Sequence, residues 1–455
     1  MTIPKSKSGF VAPTPASVLK VVTSQRVLGA IAWNTAGSGV GQAVTFVANI
    51  LIARALGAAG FGLYATILST VNLFVALGTA GLTLTTAKLV AEHRTANPAK
   101  AARLVKSSLR VSQQAGLIAM LVQVGLSWWL CRNVLAAPSV VLELQVAAIG
   151  MFAAILNSAQ MGVLQGLETF KVQAGLLITR GMLIGVSTFV SAHLWGLRGA
   201  VYANSASSVV VCLLSSMAVT TACERAGLPR VQKTTLEDVR RVLSLAFPVL
   251  VATAGFTPFA WWANALLARK AGYSQVGVFN IALQWQMITL FISSSASNVG
   301  LPLLASVVRS RDMHLYARNL LVSIAIAVVP TACIASMLLF FAPQVVGFYG
   351  HAPAETVTCL RMVAITSIVS ALLIPVGHLI WTLDQTVAGM AFAFVRGLLL
   401  VGFSYLLVSR GAIGLTLAYL YTAAVVALLC IPYVYRVLRN HHSEWSTPMV
   451  DVMEL

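Results

Sequence analysis

A stretch near the start of the chain returns in its second half without a gap. Ala48-Asn49-Ile50-Leu51-Ile52-Ala53-Arg54-Ala55-Leu56-Gly57 reappears as Ala263-Asn264-Ala265-Leu266-Leu267-Ala268-Arg269-Lys270-Ala271-Gly272, and Gly62 and Tyr64 correspond to Gly277 and Phe279. Two later pairs keep almost the same spacing: Leu167-Glu168 with Leu383-Asp384, and Arg180-Gly181 with Arg396-Gly397. A near-constant offset over most of a chain marks two copies of one unit, which restricts the fold to two similar halves packed on each other. Where such halves lie in a membrane, ligand sites tend to form between them.

Both copies are strongly apolar. Of the 455 residues, 58% are hydrophobic and only 9% carry charge, against about 25% in a soluble domain. Apolar runs long enough to cross a hydrocarbon core of about 30 Å recur along the chain. Twelve helices are expected, over residues 28–52, 62–87, 111–130, 144–164, 174–195, 199–221, 244–267, 277–307, 319–341, 359–381, 387–408 and 412–435. The expected organisation is an all-α polytopic membrane protein. A cytosolic N-terminal tail (1–27) precedes a first six-helix lobe (28–221), a cytosolic linker (222–243), a second six-helix lobe (244–435) and a cytosolic C-terminal tail (436–455). The segment from Leu236 to Leu243 alternates charged and apolar residues at helical spacing, which predicts a short amphipathic helix on the cytosolic surface.

Charge placement sets the orientation. The net charge of +18 would suit nucleic acid, but the basic residues sit in short loops between apolar runs. With both termini inside, 21 of the 30 Lys and Arg fall in inner segments, seven in outer loops and two within helices. That is the positive-inside pattern, so the expectation is a multi-pass protein of the bacterial inner membrane and no nucleic-acid partner. The six cysteines form no CxxC pair, which indicates neither a metal site nor a disulfide framework. The segment from Met1 to Arg26 lacks an apolar core before a small-residue cleavage site and reads as a cytosolic tail.

The stretch Ala53-Arg54-Ala55-Leu56-Gly57-Ala58-Ala59-Gly60-Phe61-Gly62-Leu63-Tyr64 resembles the first-loop signature of bacterial polysaccharide-biosynthesis membrane proteins. These are the oligosaccharide flippases of the multidrug/oligosaccharidyl-lipid/polysaccharide exporter superfamily. Further matches are Leu77-Gly78-Thr79-Ala80-Gly81-Leu82, Gln165-Gly166-Leu167-Glu168-Thr169-Phe170-Lys171 and Phe247-Pro248. The resemblance implies a two-lobed bundle with a central cavity. It also implies a substrate class, polyprenyl-pyrophosphate-linked oligosaccharide moved from the cytosolic to the periplasmic leaflet for O-antigen, capsule or exopolysaccharide assembly. Membrane lipid and polysaccharide polymerase or chain-length proteins are the partners it suggests.

Arg180 and Arg396 are the Lys or Arg residues deep in expected spans, about 9 Å and 14 Å from the cytosolic ends at the helical rise. A charge at that depth must face water or a partner. A planar guanidinium binds phosphate oxygens in pairs, so two of them facing a shared cavity would suit a pyrophosphate. Snorkelling to headgroups is the competing reading. Glu168 and Asp384 fall at equivalent cytosolic helix ends, as a candidate gate or a solvated interface. Asn34, Gln284 and Trp285 are candidate sugar contacts, set against interhelical hydrogen bonding and interfacial packing.

No catalytic set, metal ligand or cofactor is expected. Without a Walker sequence, energy would come from an H⁺ or Na⁺ gradient or from consumption of product. Two other functions compete. A multidrug/cation antiporter of the same superfamily should carry an acid inside a span, and none is evident. A membrane glycan polymerase or transferase should present its chemistry on a large outer loop, and the longest expected, 342–358, offers only His351 and Glu355.

Overall fold

The computed structural model of the protein describes residues 25–79, 81–229, 234–297, 313–350, 352–383 and 385–446. Nearly all of them are helical. In chain order the helices are α1 (Gln25–Thr79), α2 (Leu82–His93), α3 (Pro98–Trp129), α4 (Val141–Gly166), α5 (Phe170–Arg225), α6 (Leu236–Ala254), α7 (Thr257–Ala271), α8 (Tyr273–Ser297), α9 (Met313–Gly347), α10 (Glu355–Thr382), α11 (Thr386–Leu407) and α12 (Gly411–Ser446).

Glycines mark breaks within and between the helices. α1 is broken at Gly57 (φ 68°, ψ 174°), and Gly272 between α7 and α8 has closely similar angles (φ 85°, ψ 168°). Gly196 inside α5 (φ 61°, ψ −142°) and Gly411 at the head of α12 (φ 63°, ψ −141°) form a second matched pair. A Cβ would clash in these conformations, so only glycine adopts them at no steric cost. The members of each pair are separated by the offset of the sequence repeat.

Among the described residues nine helical segments are long and apolar enough to cross a membrane. Three of them, Thr35–His93, Phe170–Arg225 and Val387–Arg439, run to 59, 56 and 53 residues and contain the breaks at Gly57, Gly196 and Gly411. About 20 residues suffice for one crossing, so each of the three has length for two. Outward-facing apolar side chains such as Leu121, Leu194, Phe340 and Leu406 are exposed along these segments, as a lipid-covered surface requires.

The helix expected at 236–243 exists, but it is the first two turns of α6 rather than a separate surface helix. Thr235 caps it, accepting from the Asp238 amide at 3.2 Å and donating to Asp238 Oδ2 at 2.6 Å. Val242 and Ala246 then pack in one cluster with Leu82, Leu89, Leu104 and Val111 of α2 and α3. Val239 and Val242 turn to this protein contact while Leu236 and Leu243 stay exposed, and Arg103 Nε reaches Asp238 Oδ2 at 3.3 Å beside it.

The first half (α1–α5) and the second half (α6–α12) share a core cluster. Ile52, Phe61, Tyr64 and Ile67 of α1 cluster with Ala265 of α7 and Ile281 of α8. Gly62 and Gly277 let the backbones touch: a Cβ at Gly62 would overlap the Tyr273 carbonyl and the Gly277 amide, and one at Gly277 would overlap the Ala58 carbonyl. Hydrogen bonds reinforce the same end. Trp261 Nε1 donates to Thr70 Oγ1 (2.9 Å), Asn264 Nδ2 to Ser69 Oγ (3.2 Å), Arg269 to the Asn133 carbonyl (2.9 Å) and the Tyr273 hydroxyl to the Leu135 carbonyl (2.5 Å).

Candidate substrate cavity

The two interior arginines owe their positions to the glycine that follows each. A Cβ at Gly181 would lie 2.7 Å from Gly41 Cα, and one at Gly397 would lie 2.6 Å from the Gly255 carbonyl. Backbone contact therefore seats α5 on α1, and α11 on the α6–α7 junction, beside each arginine. Each arginine lies ten residues into its helix, α5 from Phe170 and α11 from Thr386. Both are thus about 15 Å from the helix start at the helical rise. The two helices begin four residues and one residue before the expected spans, which makes the two distances along the helix equal.

Arg180 lines a cavity of about 460 Å³ with Gln42, Asn49, Asn72, Asn204 and Gln284. An adjoining cavity of about 290 Å³ shares Asn49, Leu68, Asn72, Gln284 and Met287 and adds Tyr64, Trp261, Asn264, Asn280 and Tyr419. The smaller lies between the halves, below the contacts at Gly62 and Gly277, and the larger lies among α1, α4 and α5 with Gln284, Met287 and Ile288 of α8 at its edge. Arg396 lines a third cavity, of about 400 Å³, enclosed by α6, α10, α11 and α12, whose walls are otherwise mostly apolar. Its guanidinium lies 4.2 Å over the Phe256 ring, a cation–π contact. The two arginines therefore face different cavities. Gly397 packs toward α6 and α7, and Arg396 follows it there.

Charge in this space has one sign. Arg180 is the only Lys, Arg, Asp or Glu among the described residues lining the larger cavity, and the adjoining one has none among them. Ion pairs among the described residues join Arg94 to Glu168 at 2.5 Å, Arg103 to Asp238 at 3.3 Å and Arg198 to Glu143 at 2.9 Å. These lie toward helix ends, and neither interior arginine takes part. No group of His, Cys, Asp and Glu among the described residues could hold a metal ion.

The other candidates separate. Gln284 lines both central cavities, and its Oε1 is buried without a hydrogen-bond partner. Trp285, one residue on, points elsewhere: its Nε1 donates to the Tyr349 hydroxyl at 3.1 Å and its ring meets Phe46 edge-on at 4.8 Å. Burial pushes the Tyr349 phenol above its ordinary range, so it stays a neutral acceptor. Glu168 pairs with Arg94 inside the first copy. Asp384 and the side chain of Asn34 lie outside the described residues. Gln160 joins Asn157, Ser215 and Ser216 in a network between α4 and α5. Asn72, Asn204 and Asn280 were not singled out from the sequence. Their only signal is an amide in an apolar run, which packing amides such as Asn157 share.

Solved structures confirm the fold. The chain superimposes on an inward-facing conformation of a multidrug resistance MATE family transporter of the MOP superfamily with a TM-score of 0.78, at 16% identity, over 89% of this chain and 96% of that one. An outward-facing conformation of such a transporter gives 0.70 at 16% identity, over 95% and 100%. A MOP superfamily transporter from Pyrococcus furiosus, whose binding pocket is described as reversed in polarity, gives 0.70 at 17% identity, over 94% and 99%. No curated protein matches the sequence. The sequence model of the polysaccharide biosynthesis protein family matches residues 27–308, more than half of the chain. On that match the chain belongs to the polysaccharide biosynthesis protein family.

Proposed function

We propose that this protein is a flippase that carries polyprenyl-pyrophosphate-linked oligosaccharide across the bacterial inner membrane, from the cytosolic to the periplasmic leaflet. The product would feed O-antigen, capsule or exopolysaccharide assembly. The observation that carries the reading is Arg180, a cation in a cavity of the first half that borders α8, with no acid beside it among the described residues. An unpaired guanidinium in such a space favours a phosphate-bearing ligand and disfavours an organic cation. The family match points to the same class of substrate.

The proposal includes twelve crossings in two duplicated six-helix lobes with both termini cytosolic. The breaks at Gly57, Gly196 and Gly411 divide three of the nine segments, which gives that number. Matched glycine conformations at corresponding positions of the two copies support the duplication. Transport proceeds by alternating access: the lobes separate at the Gly62/Gly277 end and close at the other, while the lipid tail stays in the bilayer. Arg180 binds the pyrophosphate in this scheme. Arg396 acts from its own apolar cavity, where a cation beside apolar walls suits the phosphate end of a polyprenyl chain. Coupling to an H⁺ or Na⁺ gradient, and delivery to a polymerase and chain-length protein, belong to the same proposal.

The test is reconstitution. Purified protein in liposomes should accelerate translocation of a polyprenyl-pyrophosphate oligosaccharide with a fluorescent sugar tag, followed by loss of signal to an impermeant quencher. Arg180→Ala should slow it about tenfold. No protein-dependent translocation, with uptake of an organic cation such as ethidium instead, would move the assignment to a multidrug antiporter.

A further inference from the structure

We propose that the smaller central cavity is an uncharged sugar-binding subsite, so that the substrate enters sugar first, with its pyrophosphate behind on Arg180. This rests on the flippase reading and assigns the parts of one ligand to two parts of one space.

The first support is placement. Asn49 and Asn264, which correspond in the two copies, both line the cavity of about 290 Å³, as do the corresponding Tyr64 and Phe279, and Ser69 and Gln284. The cavity is built where the same register of both copies converges. Asn49 and Asn264 each lie eight residues before the glycine break, Gly57 or Gly272. That is about 12 Å from that end at the helical rise, whereas Arg180 is about 15 Å from the opposite end. Gly181 packs on Gly41, so Arg180 is close to the level of Gly41, and Asn49 lies eight residues, about 12 Å, further toward the Gly57 end.

The second support is chemistry. A carboxamide offers two donors and an acceptor, the complement of sugar hydroxyls, and aromatic rings such as Trp261 and Tyr419 supply faces for stacking. The cavity contains no Lys, Arg, Asp or Glu among the described residues. Asn264 is already held by Ser69 and Asn280. Gln284 Oε1 is buried without a partner, and Asn49 and Asn72 make no hydrogen bond to another described side chain. Gln284 Oε1 is thus a buried atom left to a ligand, as buried polar atoms in a native fold usually find a partner, and the more open Asn49 and Asn72 amides face the same space.

The experiment compares two probes on the full chain in nanodiscs: citronellyl pyrophosphate, and citronellyl pyrophosphate bearing glucose. The expected result is about tenfold tighter binding of the sugar-bearing probe. In Asn72→Leu and in Gln284→Leu the ratio of the two affinities should fall toward one, and in Asn72→Gln, which keeps an amide, it should stay well above one. Equal affinity of wild-type protein for the two probes overturns the sugar subsite and leaves the flippase reading standing. So does a ratio that the leucine variants do not change. Failure of wild-type protein to bind either probe overturns the flippase reading and this inference with it.

Discussion

Gly62 and Gly277, which correspond in the sequence repeat, meet each other at the interface between the halves. Each is a glycine for the same reason, since a side chain on either would occupy the backbone of the other's helix. The contact closes the central space at the Gly57/Gly272 end, and hydrogen bonds from Trp261 and Asn264 to Thr70 and Ser69 lie just beneath it.

Gly277→Leu should therefore act at this seam. Overpacking of a closed contact costs about 1–3 kcal/mol, and here the obstacle is backbone, so a value near the upper end is expected. The measurement is thermal unfolding of purified protein in detergent. Gly347→Leu, at a glycine with open space around it, should shift the midpoint much less.

The interior arginines should differ from the surface ones in what they disturb. Arg180→Ala and Arg396→Ala should each impair glycan export while the protein still inserts and elutes as a single species. Lys at either position should rescue only partly, because a point charge lacks the planar fork. Surface glycan per unit of membrane protein is the readout. Normal export by the double alanine variant would remove the cationic mechanism.

Glu168 separates backbone demand from charge. It has φ 58°, and its carboxylate pairs with Arg94 while more than half exposed. Such a pair contributes less than about 1 kcal/mol, so Glu168→Gln should leave stability nearly unchanged and export within about twofold. Glu168→Val should cost about 1–2 kcal/mol, since a β-branched residue resists the left-handed region. A large export defect in Glu168→Gln with normal stability would support a gating role.

Glu143 is the reverse case. Its side chain is buried, its Oε1 accepts from Arg198 Nε at 2.9 Å, and its Oε2 has no partner. Arg198→Ala leaves that carboxylate without its cation and should cost about 1–3 kcal/mol. Glu143→Gln removes the charge and should cost less. Thermal midpoints of the two variants check the order.

Much of the architecture was legible because the repeat and the apolar runs are local signals. The offset that relates Gly57 to Gly272 marked two turns that the backbone confirms, and Arg180 stood out because a cation inside an apolar run is rare. The rest depended on direction. Gln284 and Trp285 are neighbours in sequence, yet a helix turns successive residues by about 100°, so one reaches the cavity and the other packs on Phe46 and Tyr349. Arg180 and Arg396 look equivalent in sequence. Gly181 on Gly41 and Gly397 on Gly255 are similar contacts, and each arginine faces a cavity lined mainly by its own half. The amphipathic pattern at 236–243 correctly indicated a helix, but it could not distinguish a lipid surface from the face of α2 and α3.

The most direct measurement is mass spectrometry of lipid extracts from a strain lacking this protein, with its glycosyltransferases active and no second flippase able to substitute. The account predicts polyprenyl-pyrophosphate oligosaccharide accumulating on the cytosolic side, surface glycan lost, and both reversed by the wild-type gene but not by the Arg180→Ala, Arg396→Ala double variant. Lipid intermediates and surface glycan that match the parent strain would contradict it.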